Sequence, residues 1–124
     1  MAIIAFLISG VVHAEKVDQA YAQKIARNFM MRSYEKEIIR DVITFSSESD
    51  VTMYAFNFED GGFVLLSASL NSDPILAYSN KGYFPRKDSI DNVGVIEFIE
   101  DCEKKIIMRD SMAECQLRSG ENLD

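Results

Sequence analysis

Residues 51–69 read VTMYAFNFEDGGFVLLSAS, two apolar runs separated by the tetrapeptide EDGG at residues 59–62. Both runs are rich in β-branched and aromatic residues, which favour strands, and an Asp-Gly pair between two such runs is a strong hairpin signal. Gly61 and Gly62 supply the positive φ angles that a tight turn requires, so we interpret them as structural rather than functional residues. The segment predicts an antiparallel hairpin at the centre of the fold.

Amphipathic helices are predicted on both sides of this hairpin. The first is capped by Asp18, and its apolar stripe at i, i+3 and i+4 spacing comprises Tyr21, Ala22, Ile25, Ala26, Phe29 and Met30. The second has a stripe that Phe98 widens, and its other members are Val95, Ile99, Cys102 and Ile106. Between the helices, the segments that resemble strands are residues 38–45, 51–58, 63–69 and 75–79.

These elements predict one α+β domain. We expect a small antiparallel sheet of three to four strands with the hairpin at its centre, flanked by an N-terminal and a C-terminal helix. The 124 residues, 48% of them hydrophobic, suffice for one core and are too few for two. We place the domain at residues 15–113 and a polar C-terminal tail, which we expect to fray, at residues 114–124.

Residues 1–14 have the composition of a signal peptide rather than of a folded element. Their apolar run ends with Val12 and Ala14 at the positions that a signal peptidase reads, and Glu15 follows. We expect cleavage after Ala14 and no stable membrane insertion, because a transmembrane helix needs about 20 apolar residues. No Lys or Arg precedes Glu15, so we expect the true translation start to lie upstream. The alternative is a buried N-terminal strand or helix.

The composition excludes several classes of function. Asp and Glu outnumber Lys and Arg by 20 to 13, a net charge of -7, so nucleic acid and anionic membranes would be repelled. The negative charge either steers association with a basic partner or keeps the protein soluble. His13 is the only histidine, and its loss with the signal peptide would leave no catalytic triad, Cys-His pair or imidazole ligand. We therefore expect no enzymatic activity, no metal and no cofactor.

The two cysteines, Cys102 and Cys115, leave two alternatives open. In one unbroken helix they would lie about 20 Å apart along the axis, far beyond the reach of a disulfide. A disulfide would require a chain reversal near residues 109–111, and an oxidising compartment would favour it. Otherwise they are separate thiols, with Cys102 packed on the apolar face of its helix.

The hairpin and its surroundings resemble a known protein family, the prodomains of streptopain-type cysteine proteases. The motifs that match in order and spacing are MYAFNF at residues 53–58, GGFVLLS at residues 61–67, PILAYS at residues 74–79, Gly82 and Phe84. With the flanking helices, the resemblance covers residues 17–107. It implies helices around an antiparallel sheet and a domain that covers a protease active site. For a chain without its own Cys-His pair, it implies a free-standing inhibitor that mimics the prodomain in trans.

The resemblance also implies which residues bind the protease. In the family, the segment before the final helix reaches into the protease cleft, where an Asn side chain disturbs the catalytic site, and Asn92 is the nearest match. The loop assigned to this role comprises Lys87, Asp88, Ser89, Ile90, Asp91, Asn92 and Val93, with Tyr78 and Ser79 as secondary candidates. Alternatively, Asp91 or Asn92 caps the final helix, and the ring of Tyr78 packs inward.

The implied partner is a streptopain-type cysteine protease, met by a monomeric inhibitor that a bacterium exports to the periplasm or the medium. One alternative is an intermolecular folding assistant, which predicts faster refolding of a denatured protease and weak inhibition of the native enzyme. Another is an α+β module that binds a different cell-surface protein or peptide, which predicts no complex with such a protease. Ser67-Ala68-Ser69 replaces the Ser-Gly-Asp of many family members, so the resemblance does not define the target.

Overall fold

The computed structural model describes residues 16–48, 50–86 and 91–122, with side chains described as far as residue 113. In chain order the elements are α1 (Gln19–Tyr34), β1 (Ile39–Ser47), β2 (Asp50–Phe58), β3 (Phe63–Ser67), β4 (Ile75–Ser79) and α2 (Val93–Asn122). The strands form one antiparallel sheet in the order β1-β2-β3-β4, with one helix before it and one after it. The α+β prediction is confirmed, with four strands.

The hairpin between β2 and β3 has the turn that its sequence predicts. Gly61 and Gly62 have φ angles of 91° and 103°, in the region that favours glycine. The Phe58 amide donates to the Gly62 carbonyl (2.9 Å), and the Gly61 amide donates to the Phe58 carbonyl (3.0 Å). The turn thus closes the strand ladder, and both glycines have the positive φ angles that the turn was expected to require.

Helix α1 begins and ends with capping residues. The Asp18 carboxylate accepts a hydrogen bond from the Tyr21 amide (2.8 Å), and Glu35 ends the helix in the left-handed conformation. The buried face of α1 is formed by Ala22, Ala26 and Met30. Tyr21 was predicted within this stripe, but its side chain is 54% exposed because it lies at the edge of the face that packs on the sheet.

The sheet is covered on both faces, because α1 packs on one face and α2 on the other. One core cluster combines α1 with side chains from the sheet, among them Tyr54, Phe56, Phe58, Val64 and Leu66. The other combines α2 with the opposite side chains, among them Phe45, Met53, Ala55, Leu65 and Phe84. Because both faces are buried, β2 and β3 read as nearly continuous apolar runs.

Helix α2 is longer than its apolar stripe predicts. Ile99 and Ile106 are buried against the sheet, and the backbone stays helical to Asn122, so the tail expected to fray at residues 114–124 is helical over most of its length. Phe98 does not widen the buried face: it is 39% exposed, because it is rotated by about 100° from Ile99 towards solvent.

The unbroken helix decides between the two alternatives for the cysteines. Cys102 and Cys115 both lie within α2, which puts them about 20 Å apart along its axis. The chain reversal that a disulfide needs is not present, and Cys102 is a free, partly buried thiol packed against the core on the α2 face. The helix backbone therefore favours two separate thiols over an intramolecular disulfide.

The predicted signal peptide, residues 1–14, lies outside the described residues. Within the part of the chain that the structure describes, neither helix combines the length and the hydropathy that crossing a bilayer requires. Cleavage after Ala14 remains a prediction.

Asp110 joins three separate segments near the C-terminal half of α2. Its carboxylate accepts hydrogen bonds from the hydroxyl of Ser69, from Asn71 Nδ2 (2.9 Å) and from Lys16 Nζ (3.1 Å). Burial by itself would raise the pKa of Asp110, but the hydrogen bonds from Ser69, Asn71 and Lys16 outweigh it, so the pKa lies below the usual value. The carboxylate therefore stabilises the fold more in its charged form than in its protonated form.

We expect this cluster to make the protein sensitive to acid. A depressed folded-state pKa gives stability that is present above the unfolded-state pKa, about 3.9, and is lost as the pH falls through the folded-state pKa. The free energy of unfolding should fall more steeply below about pH 4 in the unmodified protein than in Asp110→Asn. Urea unfolding at a series of pH values measures both slopes, and equal slopes would contradict the role given to Asp110.

Candidate functional site

The candidate loop, residues 87–93, is only partly described. Lys87, Asp88, Ser89 and Ile90 lie outside the described residues, so their predicted role in protease binding is untested. Asp91, Asn92 and Val93 are described and exposed, and the side chain of Val93 is 66% exposed although it is apolar. The described end of the loop is thus accessible to a partner.

The chain that enters the loop is fixed to the sheet by Asn57. This β2 side chain is 3% exposed, and its Oδ1 accepts a hydrogen bond from the Phe84 amide (2.7 Å). Its Nδ2 donates to the Phe84 carbonyl (3.1 Å) and to Asp41 Oδ1 (2.9 Å). The ring of Phe84 also packs edge-on against Phe45 and Phe63, with centroid separations of 5.9 and 5.2 Å. Backbone and side chain of Phe84 are therefore both held.

A second contact holds Tyr83, the residue before this anchor. The Arg40 guanidinium lies 4.3 Å from the centre of the Tyr83 ring, and the Tyr83 hydroxyl donates to the Glu59 carbonyl (3.2 Å). These contacts connect the entering chain to β1 and to the turn of the hairpin. The start of the loop thus has several independent attachments to the sheet.

The far end of the loop is fixed by Asn92. Its Oδ1 accepts hydrogen bonds from the amides of Gly94 (2.8 Å) and Val95 (3.3 Å), which are among the free amides at the start of α2. Asn92 therefore caps the helix, one of the two interpretations that its sequence position allows. Because Oδ1 is occupied, the Nδ2 group is the part of this side chain that a partner would meet.

Tyr78 and Ser79, the secondary candidates, lie at the end of β4. The Tyr78 ring packs edge-on against Phe29 of α1, with centroids 4.8 Å apart, and the side chain is still 53% exposed. The Ser79 hydroxyl accepts from the Lys81 amide (3.1 Å) and donates to the Lys81 carbonyl (2.9 Å), so it stabilises a turn. Tyr78 is on the α1 side of the sheet, whereas the anchor at Phe84 belongs to the core on the α2 side.

Lys36 is a structural residue that sequence reasoning missed. Its ammonium donates to the carbonyls of Gly61 (2.5 Å), Asn80 (2.8 Å) and Asp60 (3.3 Å). It thereby connects the β2–β3 turn to the turn that follows β4. No local pattern marks such a lysine, whereas Asn57 could have been found as the single amide within the apolar run of β2.

Among the described residues, neither the Cys102 thiol nor the acidic side chains form a reactive centre that the structure shows. Burial, and secondarily the charge of Asp101, raises the pKa of the Cys102 thiol, which favours the protonated and poorly nucleophilic form. Among the described residues, no three His, Cys, Asp or Glu side chains lie close enough to hold a metal ion. What the described geometry offers a partner is the exposed end of the candidate loop at Asp91, Asn92 and Val93, next to the start of α2.

These features define a class of protein: a small α+β domain in which the sheet and α2 hold the described ends of the candidate loop. The model of one protein family, the Spi protease inhibitors, matches residues 14–106, a range that contains α1, the whole sheet and the first half of α2. The chain belongs to the Spi protease inhibitor family, and it is a protease inhibitor. No curated protein and no solved structure matches it.

Proposed function

We propose that this chain inhibits a streptopain-type cysteine protease by occupying the active-site cleft as a prodomain does. The observation that carries the proposal is the match of residues 14–106 to the Spi protease inhibitor family. The resemblance of the hairpin core to streptopain prodomains then gives the class of the target. The chain acts in trans, as a non-catalytic partner of an active enzyme.

The anchored loop supports this mechanism. Because Asn57 holds Phe84 and Asn92 caps α2, the described residues on both sides of the loop are already ordered, so binding loses little entropy in fixing them. An inhibitor of this kind fills the cleft without presenting a peptide bond in the geometry that attack requires. The sheet and helices supply the remaining contact area, of which a specific complex needs at least about 1,000 Å².

We propose further that the active form starts at Glu15, after export and removal of residues 1–14. Lys16 supports this boundary, because it already belongs to the fold through its hydrogen bond to Asp110 and its backbone bridge to Ser69. The inhibitor then meets its protease in the periplasm or the medium. Its negative charge would mainly alter the rate of association.

Competition with substrate tests the proposed mechanism. Residues 15–124 are added to the protease at several concentrations of a small peptide substrate, and initial rates are measured. Competitive exclusion predicts that the apparent inhibition constant rises linearly with substrate concentration. An inhibition constant independent of substrate would contradict occupation of the cleft. Faster refolding of the denatured protease without inhibition of the native enzyme would favour a folding assistant.

Two substitutions separate the capping role of Asn92 from its proposed role in the cleft. Asn92→Ala removes the cap and should lower the free energy of unfolding by about 0.5–2 kcal/mol. Asn92→Asp keeps the acceptor oxygen for Gly94 and Val95 and removes only the Nδ2 donor. We expect both variants to inhibit about tenfold less well, while only the alanine variant loses stability. Unchanged inhibition by Asn92→Asp would show that Asn92 serves only as a helix cap.

A further inference from the structure

The two edges of the sheet differ in how far they are protected from further strand pairing. At the β1 edge, the pairing with β2 has register shifts near both ends, and the strand carries the charges of Arg40 and Asp41. Bulges and charged side chains are devices that block edge pairing. The pairing of β4 with β3 also contains one register shift, between Leu65 and Leu66, so the two edges differ mainly in charge. Residues 74–80 at the β4 edge read PILAYSN and carry no charge. Among the described strands, only β3 pairs with β4.

The β4 edge is bordered by a partly exposed apolar surface. Ile25 and Phe29 of α1 and Ile75 of β4 are half-buried against the same core, and the Phe29 ring contacts the exposed Tyr78. Elsewhere on the α1 side, Leu70 is 58% exposed and lines a depression with Val17 and Tyr21, but the charged Lys16 and Asp18 line it as well, so the apolar border is limited to Ile25, Phe29, Ile75 and Tyr78. An uncharged strand edge beside Tyr, Phe and Ile side chains has the composition of an interface core.

The chemistry of the β4 edge indicates what kind of segment could bind there. Free N–H and C=O groups on the outer side of a strand pair with another extended backbone, and the apolar border selects uncharged side chains at alternate positions of that backbone. A second copy of the chain fits poorly, because two five-residue strands would bury far less than the roughly 1,600 Å² of a stable interface. The occupant must therefore make further contacts elsewhere on the inhibitor.

β4 contributes to the same core as the chain that enters the candidate loop. Leu76 and Ala77 of β4 pack against the core on the α2 side, which also contains Phe84. The strand and the start of the loop therefore belong to one packed unit, which a partner as large as a protease could contact at both places. We propose that β4 pairs with an extended, uncharged segment of the target protease and extends the inhibitor sheet by one strand; this inference rests on the proposed function.

A matched pair of substitutions tests the pairing. Tyr78→Lys places a charge on the β4 edge, and Thr44→Lys places the same charge at an exposed position of the β1 edge. We expect Tyr78→Lys to weaken inhibition at least about tenfold and Thr44→Lys to change it by less than about twofold. Melting temperatures of the free variants monitor folding. Equal effects of the two variants, or none, would overturn the proposal.

Hydrogen exchange on the unmodified inhibitor tests the strand pairing of β4 without any substitution. In the complex with the protease, the amides of residues 75–79 should exchange at least about tenfold more slowly than in the free protein, while those of residues 39–47 stay unchanged. Full inhibition without added protection at residues 75–79 would overturn strand pairing and leave the proposed function intact. A chain that neither inhibits nor binds the protease would overturn both.

Discussion

Replacing Phe56 with alanine is expected to lower the free energy of unfolding by about 3–5 kcal/mol. Phe56 lies in the central strand β2, its side chain is 0% exposed, and it belongs to the core between the sheet and α1. The substitution removes buried apolar surface and leaves a cavity that the neighbouring β-ladders prevent from closing. Since a domain of this size is stabilised by only about 5–15 kcal/mol, a large fraction of the variant should unfold under mild denaturing conditions.

Urea unfolding followed by circular dichroism measures this loss, and Phe98→Ala is the matched control. The same side chain is removed there from the exposed side of α2, where Phe98 is 39% accessible. We expect the free energy of unfolding of this control variant to fall by less than about 1 kcal/mol. A similar loss for both variants would show that the core is not where the structure places it.

Replacing Gly62 with alanine is expected to lower the free energy of unfolding by about 2–4 kcal/mol, from backbone strain and overpacking together. The φ angle of 103° is unfavourable for any residue with a Cβ atom. In addition, the new Cβ would lie 2.9 Å from the Ser79 carbonyl oxygen and 3.2 Å from the Asn80 carbonyl carbon. Both contacts are with backbone atoms at the end of β4, and the hydrogen bond from Lys36 to the Asn80 carbonyl holds this backbone in place. The steric clash can therefore be relieved only if the end of β4 moves.

Gly82→Ala separates the two causes. Gly82 has a φ of 73°, also in the left-handed region, but a Cβ there would have no neighbour within 4 Å. The Gly82→Ala variant should therefore lose free energy of unfolding only through backbone strain, about 1 kcal/mol. Thermal or urea unfolding of both variants provides the comparison. If Gly62→Ala lowered the free energy of unfolding no more than Gly82→Ala does, the close packing of the hairpin turn against β4 would be refuted.

The sequence was sufficient to predict the parts of the fold that depend on local patterns. The Asp-Gly-Gly turn, the strand at residues 75–79 and the Asp18 cap are each encoded within a few neighbouring residues, and the structure contains them all. The helical stripes were predicted less well at their edges. Tyr21 and Phe98 fit the apolar spacing, but only the direction in which a helix packs decides which flank of its stripe is buried.

Less of the candidate site could be predicted, because its geometry depends on contacts between distant residues. Asn57 holds Phe84 from another strand, and Lys36 binds the Asn80 carbonyl across the end of the sheet. Neither partner can be identified from the sequence near the donor. The capping of α2 by Asn92 was one of two interpretations, since an asparagine before an apolar stripe is a common helix cap.

We propose that this protease inhibitor acts on a streptopain-type cysteine protease in the manner of a prodomain. The most direct test titrates residues 15–124 into such a protease, whose active sites have been counted with an irreversible thiol reagent, and follows residual hydrolysis of a small peptide. A tight prodomain-like inhibitor should give a linear loss of activity that reaches zero at about one inhibitor per active site. Full activity at a large molar excess of the chain would contradict it.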